Sequence, residues 1–180
     1  MAVWQFQIEL VPKAVAEANS LRAGMVLTEE QRESVVWWKD QRLPVTLLRD
    51  VEKMLPSGRA WSKDLEVRGS LDTSCLTILR EGESLVEVHF RFDVREVSIE
   101  LLETAVQFSR DLQCWLITDD GKVIEPALAK LKEEIRESSA FQFVKDPLSF
   151  ISRRDERLRC VTTVVGRLEA TCEPSFARRA

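Results

Sequence analysis

Within Leu85 to Arg95 the chain changes character at every residue from Val86 on. Val86, Val88, Phe90, Phe92 and Val94 are apolar, and Glu87, His89, Arg91, Asp93 and Arg95 between them are charged or titratable. Successive side chains of an extended backbone point to opposite faces, so this pattern predicts a half-buried β-strand. One face enters a core. The other presents acid, imidazole, base, acid and base in a line.

The neighbouring segments place that strand in a sheet. Val3 to Val11 also alternates, with Trp4, Phe6, Ile8 and Leu10 against Gln5, Gln7 and Glu9. Strands are also expected over 64–68, 74–80, 113–118 and 122–124. The Gly-containing loop Glu81-Gly82-Glu83 and the turn Asp119-Asp120-Gly121 each join two of them as hairpins. Adjacent strands joined so tightly must run antiparallel.

Helices are expected in blocks between the strands. One runs over 14–21 after Pro12. A start is marked by Thr28 with Glu29, Glu30 and Gln31, which is a capping-box pattern. Another begins at Pro44, with Val45, Leu48, Val51, Met54 and Leu55 on one face. Ser98 caps a fourth, whose buried stripe is Leu101, Leu102, Ala105, Phe108 and Leu112. Pro126 opens the last, with Leu128, Leu131 and Ile135 inward. Phe141, Phe143, Leu148, Phe150 and Ile151 fall in a less regular segment expected to pack on the body. The class is α+β: an antiparallel or mixed β-sheet with helices packed on one face. A single domain over 1–151 is expected to carry a basic C-terminal extension over 152–180, where seven arginines outnumber four acidic residues. That extension reads as loosely held, with an edge strand at 160–165 as the alternative.

Charge and composition exclude several functions. A net charge of −4 argues against non-specific binding to nucleic acid or an anionic membrane. No apolar run approaches the roughly 20 residues of a spanning helix, and the N-terminus lacks the basic and apolar regions of a signal peptide. A cytosolic address is the expectation. Cys75, Cys114, Cys160 and Cys172 form no CxxC pair and read as free thiols in a reducing compartment.

No catalytic, cofactor or metal signature is present in the sequence. The only histidine is His89, and neither Cys75 nor Cys114 lies at an expected helix N-terminus, where a thiol becomes reactive. Cys160, Cys172 and one distant histidine do not make a zinc site. The six glycines form no phosphate-binding loop. Two features remain. Trp37 and Trp38 stand side by side near Arg42, and adjacent residues of a helix or strand cannot both face one core, so one indole is expected to be partly exposed. The charged face of the central strand, extended by Gln5, Gln7 and Glu9 if the first strand pairs beside it, is either a solvated sheet face of cross-strand ion pairs or a recognition surface.

The blocks VWQFQIELVPK, LPSGRAWS, EVHFRFDVRE with SIELLETAVQF, CWLITDDGKVIEP and SSAFQFVKDPLSFI, spanning about residues 3–151, resemble a group of uncharacterised small bacterial proteins. These are similar in size and character to the immunity-type proteins that accompany bacterial toxins. The resemblance implies a non-enzymatic protein-binding domain whose partner is a protein, such as a toxin, with no cofactor. Glu87, His89, Arg91, Asp93, Arg95, Trp37 and Trp38 are its candidate contacts. The alternative is a small hydrolase-type enzyme that uses carboxylates and Arg91 in a cleft.

Overall fold

The computed structural model describes residues 2–39 and 41–151; the C-terminal extension, with Cys160 and Cys172, lies outside the described residues. Six strands form one sheet: β1 Gln5–Pro12, β2 Leu65–Gly69, β3 Cys75–Glu81, β4 Ser84–Asp93, β5 Cys114–Thr118 and β6 Val123–Ile124. Their spatial order is β2-β3-β4-β1-β5-β6, and every pairing is antiparallel. The helices are α1 Lys13–Ala18, α2 Glu29–Glu33, α3 Val45–Met54, α4 Ile99–Asp111, α5 Leu128–Glu137 and α6 Ser139–Lys145. The fold is α+β, with an antiparallel sheet. The last helix replaces the irregular segment expected around Phe141.

By internal contacts the chain divides into Met1–Val144 and Lys145–Ala180. The second unit contains a helical turn over 147–151, in which the Ser149 amide donates to the Asp146 carboxylate at 3.1 Å. Leu148 and Ile151, expected inside, are exposed.

β1 and β4 lie side by side at the middle of the sheet because both carry an apolar face long enough to be buried. Ile8 sits opposite Phe90 and Phe6 opposite Phe92. Leu76 and Ile78 of β3 and Leu116 of β5 continue that face, and all are buried. α4 covers it, with Phe108 edge-on to Phe90 at 5.6 Å between ring centres. Burying side chains of this size contributes about 1.5–3 kcal/mol each against leaving them in water. α3 packs beside α4 and reaches the β2 edge through Glu52 and Arg68, 2.7 Å apart. Its inward face is narrower than its spacing predicts: Leu48, Val51 and Leu55 are buried, while Val45 and Met54 at its ends are exposed.

Part of each sheet edge is occupied by the chain itself. Along β6, the Gly24 and Leu27 amides donate to the Val123 and Gly121 carbonyls at 2.8 and 2.9 Å. Along β2, the Gly58 amide donates to Val67 and the Gly69 amide to Pro56, at 2.9 and 2.6 Å. An occupied stretch of edge is closed to strand addition by another chain.

Candidate functional site

The second face of the sheet carries the polar residues of β4 and their cross-strand partners. Antiparallel pairing puts Gln7 and Cys75 on either side of Arg91, and Glu9 and Thr77 on either side of His89. α2, held by its Thr28–Gln31 capping box, lies against this face, where Arg32 meets the buried Glu9 carboxylate at 3.0 Å. Two open cavities flank the line Glu87–His89–Arg91. One, of about 440 Å³, is bordered by Glu9, Arg32, Val36, Trp37, Val86 and Glu87. The other, of about 300 Å³, is bordered by Gln7, Trp61, Leu65, Thr77, Leu79 and Arg91. Glu87 and His89 line both.

Four of these side chains form a chain of polar contacts whose polarity follows from elementary donor and acceptor rules. A guanidinium only donates, so the Gln7 carbonyl faces Arg91 Nη2, at 3.3 Å. The Gln7 amide NH₂ is then turned to Nδ1 of His89 and donates to it. Nδ1 must accept, which leaves the ring proton of the neutral imidazole on Nε2, 3.4 Å from Glu87 Oε2. The hydrogen bond from His89 lowers the Glu87 carboxyl below the usual carboxylate range; partial burial opposes the shift, and the positive charge of Arg32 reinforces it.

The sequence-derived candidates are therefore not brought together as one row. Glu87, His89 and Arg91 share the face. Asp93 is buried at the end of β4, where its carboxylate accepts from the Arg95 backbone amide, Nε and Nη2 at 3.0, 2.9 and 2.6 Å. Arg95 lies beyond the strand and stacks over the Trp4 ring at 4.4 Å. This pair is an internal clasp. A register shift opposite Leu79 and Arg80 makes a bulge at Val86, so Leu85 enters the core in its place and Val86 joins the second face.

Trp37 and Trp38 correct the expectation of an exposed indole: they are 4% and 3% exposed. Both lie in a turn, where neighbouring side chains need not diverge. β1 and β4 stop pairing at Glu9 opposite His89, and the Trp38 indole N–H takes the Leu10 carbonyl at 3.1 Å. The exposed tryptophan is Trp61, with 79% of its surface accessible. Its signal lay in SGRAWSKD, a segment with no apolar partner at strand or helix spacing.

Other chemistry is less well supported. Cys75 and Cys114 are buried free thiols. Burial pushes Cys114 up to about 12 and raises Cys75 against the pull of Arg91, the reverse of what a nucleophile needs. Among the described residues no group of three His, Cys, Asp or Glu side chains is placed to hold a metal ion, and no helix is long and apolar enough to cross a membrane. A more voluminous cavity, about 690 Å³, lies elsewhere, beside Lys13, Glu17, Arg110, Trp115 and Glu125. There Lys13 pairs with Glu17 at 3.7 Å, and Arg110 donates to the Pro126 carbonyl at 2.7 Å, so its cations already have partners.

No protein-family model, curated protein or solved structure matches this chain. The chemistry of the second face has to be read from its own residues.

Proposed function

We propose that the protein is a non-enzymatic binding domain that docks a protein partner on the second face of its sheet. The observation that carries this reading is Trp61, exposed at the rim of a groove floored by Arg91, His89 and Glu87. Tryptophan and arginine at the edge and floor of one depression are the residue types that dominate binding energy at interfaces. Val36, also exposed, borders the other side of the charged line, so apolar contact is offered on both flanks. With part of each edge already paired within the chain, this reading assigns recognition to side chains of the face. The resemblance to immunity-type proteins favours a toxin as the partner, bound by steric and electrostatic occlusion.

Against the hydrolase reading stands the pairing of the buried carboxylates. Glu9, Asp93 and Glu134 are engaged by Arg32, Arg95 and Lys122, at 3.0, 2.6 and 2.7 Å. A carboxylate already held by a cation inside the fold is not free to meet a substrate in a cleft.

The test is affinity capture from the native host with wild type, Trp61→Ala and Arg91→Glu, followed by hydrogen exchange on the purified complex. The expected result is one enriched partner, protection of amides in β3, β4 and residues 57–65, and loss of capture in both variants at unchanged melting temperature. Capture unaffected by both substitutions, or protection confined to other elements, would overturn the reading.

A further inference from the structure

We propose that the Arg91 groove is a carboxylate pocket, built to receive an aspartate or glutamate side chain of the protein partner. This rests on the reading of the second face as a docking surface and adds the chemistry of the contact.

Arg91 is half-buried between two uncharged neighbours, Gln7 and Cys75. Among the described residues its side chain makes one hydrogen bond, the 3.3 Å contact with the neutral Gln7 carbonyl, and the Asp119 carboxyl, which feels its charge, lies beyond ion-pair distance. Its Nε is buried with no hydrogen-bond partner, and His89 lines the same groove. Of the other partly buried arginines, Arg32 and Arg68 hold a carboxylate at 3.0 Å or less, and Arg80 reaches Glu66 at 4.0 Å. A guanidinium withdrawn from water without a counter-charge is costly, and an incoming anion offsets that cost. The planar fork of Arg91 fits a carboxylate, with His89 on the same floor and the Trp61 ring at the rim to exclude water.

Size and charge select the anion. The groove holds about 300 Å³, at the lower end of the roughly 300–1,000 Å³ typical of small-ligand pockets, which suits one side chain. Glu87 borders it, and Glu29 and Glu33 line the adjoining cavity, where Arg32 balances Glu9. That surrounding negative field penalises a doubly charged phosphate more than a singly charged carboxylate.

The experiment is an NMR titration of ¹⁵N-labelled protein with N-acetyl-glutamate amide, N-acetyl-glutamine amide and inorganic phosphate as separate probes. The expected result is saturable shifts at the Arg91 Nε–H and Trp61 indole N–H with the glutamate derivative, and at least tenfold weaker binding of the glutamine derivative. Arg91→Gln abolishes the response, and Arg91→Lys, which keeps the charge but loses the fork, weakens it. Spectral dispersion reports that each variant is folded. Equal binding of the two amides, tighter binding of phosphate, or a response that survives Arg91→Gln would overturn the proposal. A failed titration alongside capture that still depends on Trp61 removes the carboxylate assignment and leaves the docking reading standing. A successful titration with no captured partner removes the docking reading, and with it the partner side chain as the source of the carboxylate.

Discussion

Gln7 holds His89 in one tautomer. Because Arg91 can only donate, the amide of Gln7 is turned so that its NH₂ meets Nδ1 of His89 across β1 and β4. The neutral ring must therefore carry its proton on Nε2, facing Glu87. A long-range ¹H–¹⁵N spectrum at a pH where the ring is neutral should show the Nε2-protonated form. Gln7→Leu should release the ring into a mixture of tautomers. A dominant Nδ1-protonated ring in the wild type would show that the amide is turned the other way.

The Asp93–Arg95 clasp makes a pH-dependent contribution to stability. The hydrogen bond from the Arg95 side chain holds the Asp93 carboxyl below the usual carboxylate range; burial opposes the shift, and the Arg95 amide and charge reinforce it. A carboxyl whose folded pKa lies below its unfolded value contributes fully above that unfolded value, near 3.9. The contribution is lost as pH falls through the lower folded value. Asp93→Asn should cost about 1–3 kcal/mol at pH 7, as expected for a buried acceptor of several charged donors. Urea midpoints of variant and wild type should converge as the pH is brought below the unfolded value. A gap that stays constant down to pH 2 would show that the carboxylate charge is not what stabilises this corner.

Gly121 is needed at the β5–β6 turn for two separate reasons. Its φ is +83°, and a Cβ there would sit 2.2 Å from the Leu27 carbonyl oxygen. The same approach lets the Leu27 amide donate to the Gly121 carbonyl at 2.9 Å and seal the β6 edge. Gly121→Ala should cost about 1–3 kcal/mol from backbone strain alone. Hydrogen exchange should quicken first at Gly24, Leu27 and Val123. Unchanged exchange at those amides would mean that the edge strip does not depend on this approach.

How far the sequence reaches is decided by which interactions are local. Alternation in β1 and β4 is written residue by residue, so both strands and the core at Phe6, Ile8, Phe90 and Phe92 were legible. So were the Thr28 and Ser98 caps, which involve residues three apart. The bulge at Val86 was not, because it is a mismatch of register with Leu79 and Arg80 on another strand. Arg95 read as one more residue of the charged line, although the strand ends at Asp93 and the chain turns to let the two pair. Of the candidate site, the central trio Glu87, His89 and Arg91 was visible. An exposed indole was expected at Trp37 or Trp38, which the structure buries, and not at Trp61, since exposure depends on what folds over a residue.

The two tryptophans Trp38 and Trp61 separate stability from recognition. Trp38 fills the place where β1 and β4 stop pairing, and it supplies a donor to the Leu10 carbonyl. Trp38→Phe keeps most of the ring and removes that donor, so the lost bond should cost about 1–3 kcal/mol in chemical denaturation. Partner capture by the fraction that stays folded should be unchanged. Trp61 has the opposite profile: it is exposed, its indole makes no described hydrogen bond, and little in the fold rests on it. Trp61→Ala should shift stability by no more than about 0.5 kcal/mol while removing an aromatic anchor from the groove. A loss of one or more tenfold steps in partner affinity is the expected signature, read by calorimetry on the purified pair. If Trp61→Ala instead destabilised the fold as much as Trp38→Phe, its exposed ring would be a packing element of residues 57–65 and not a contact held out for another protein.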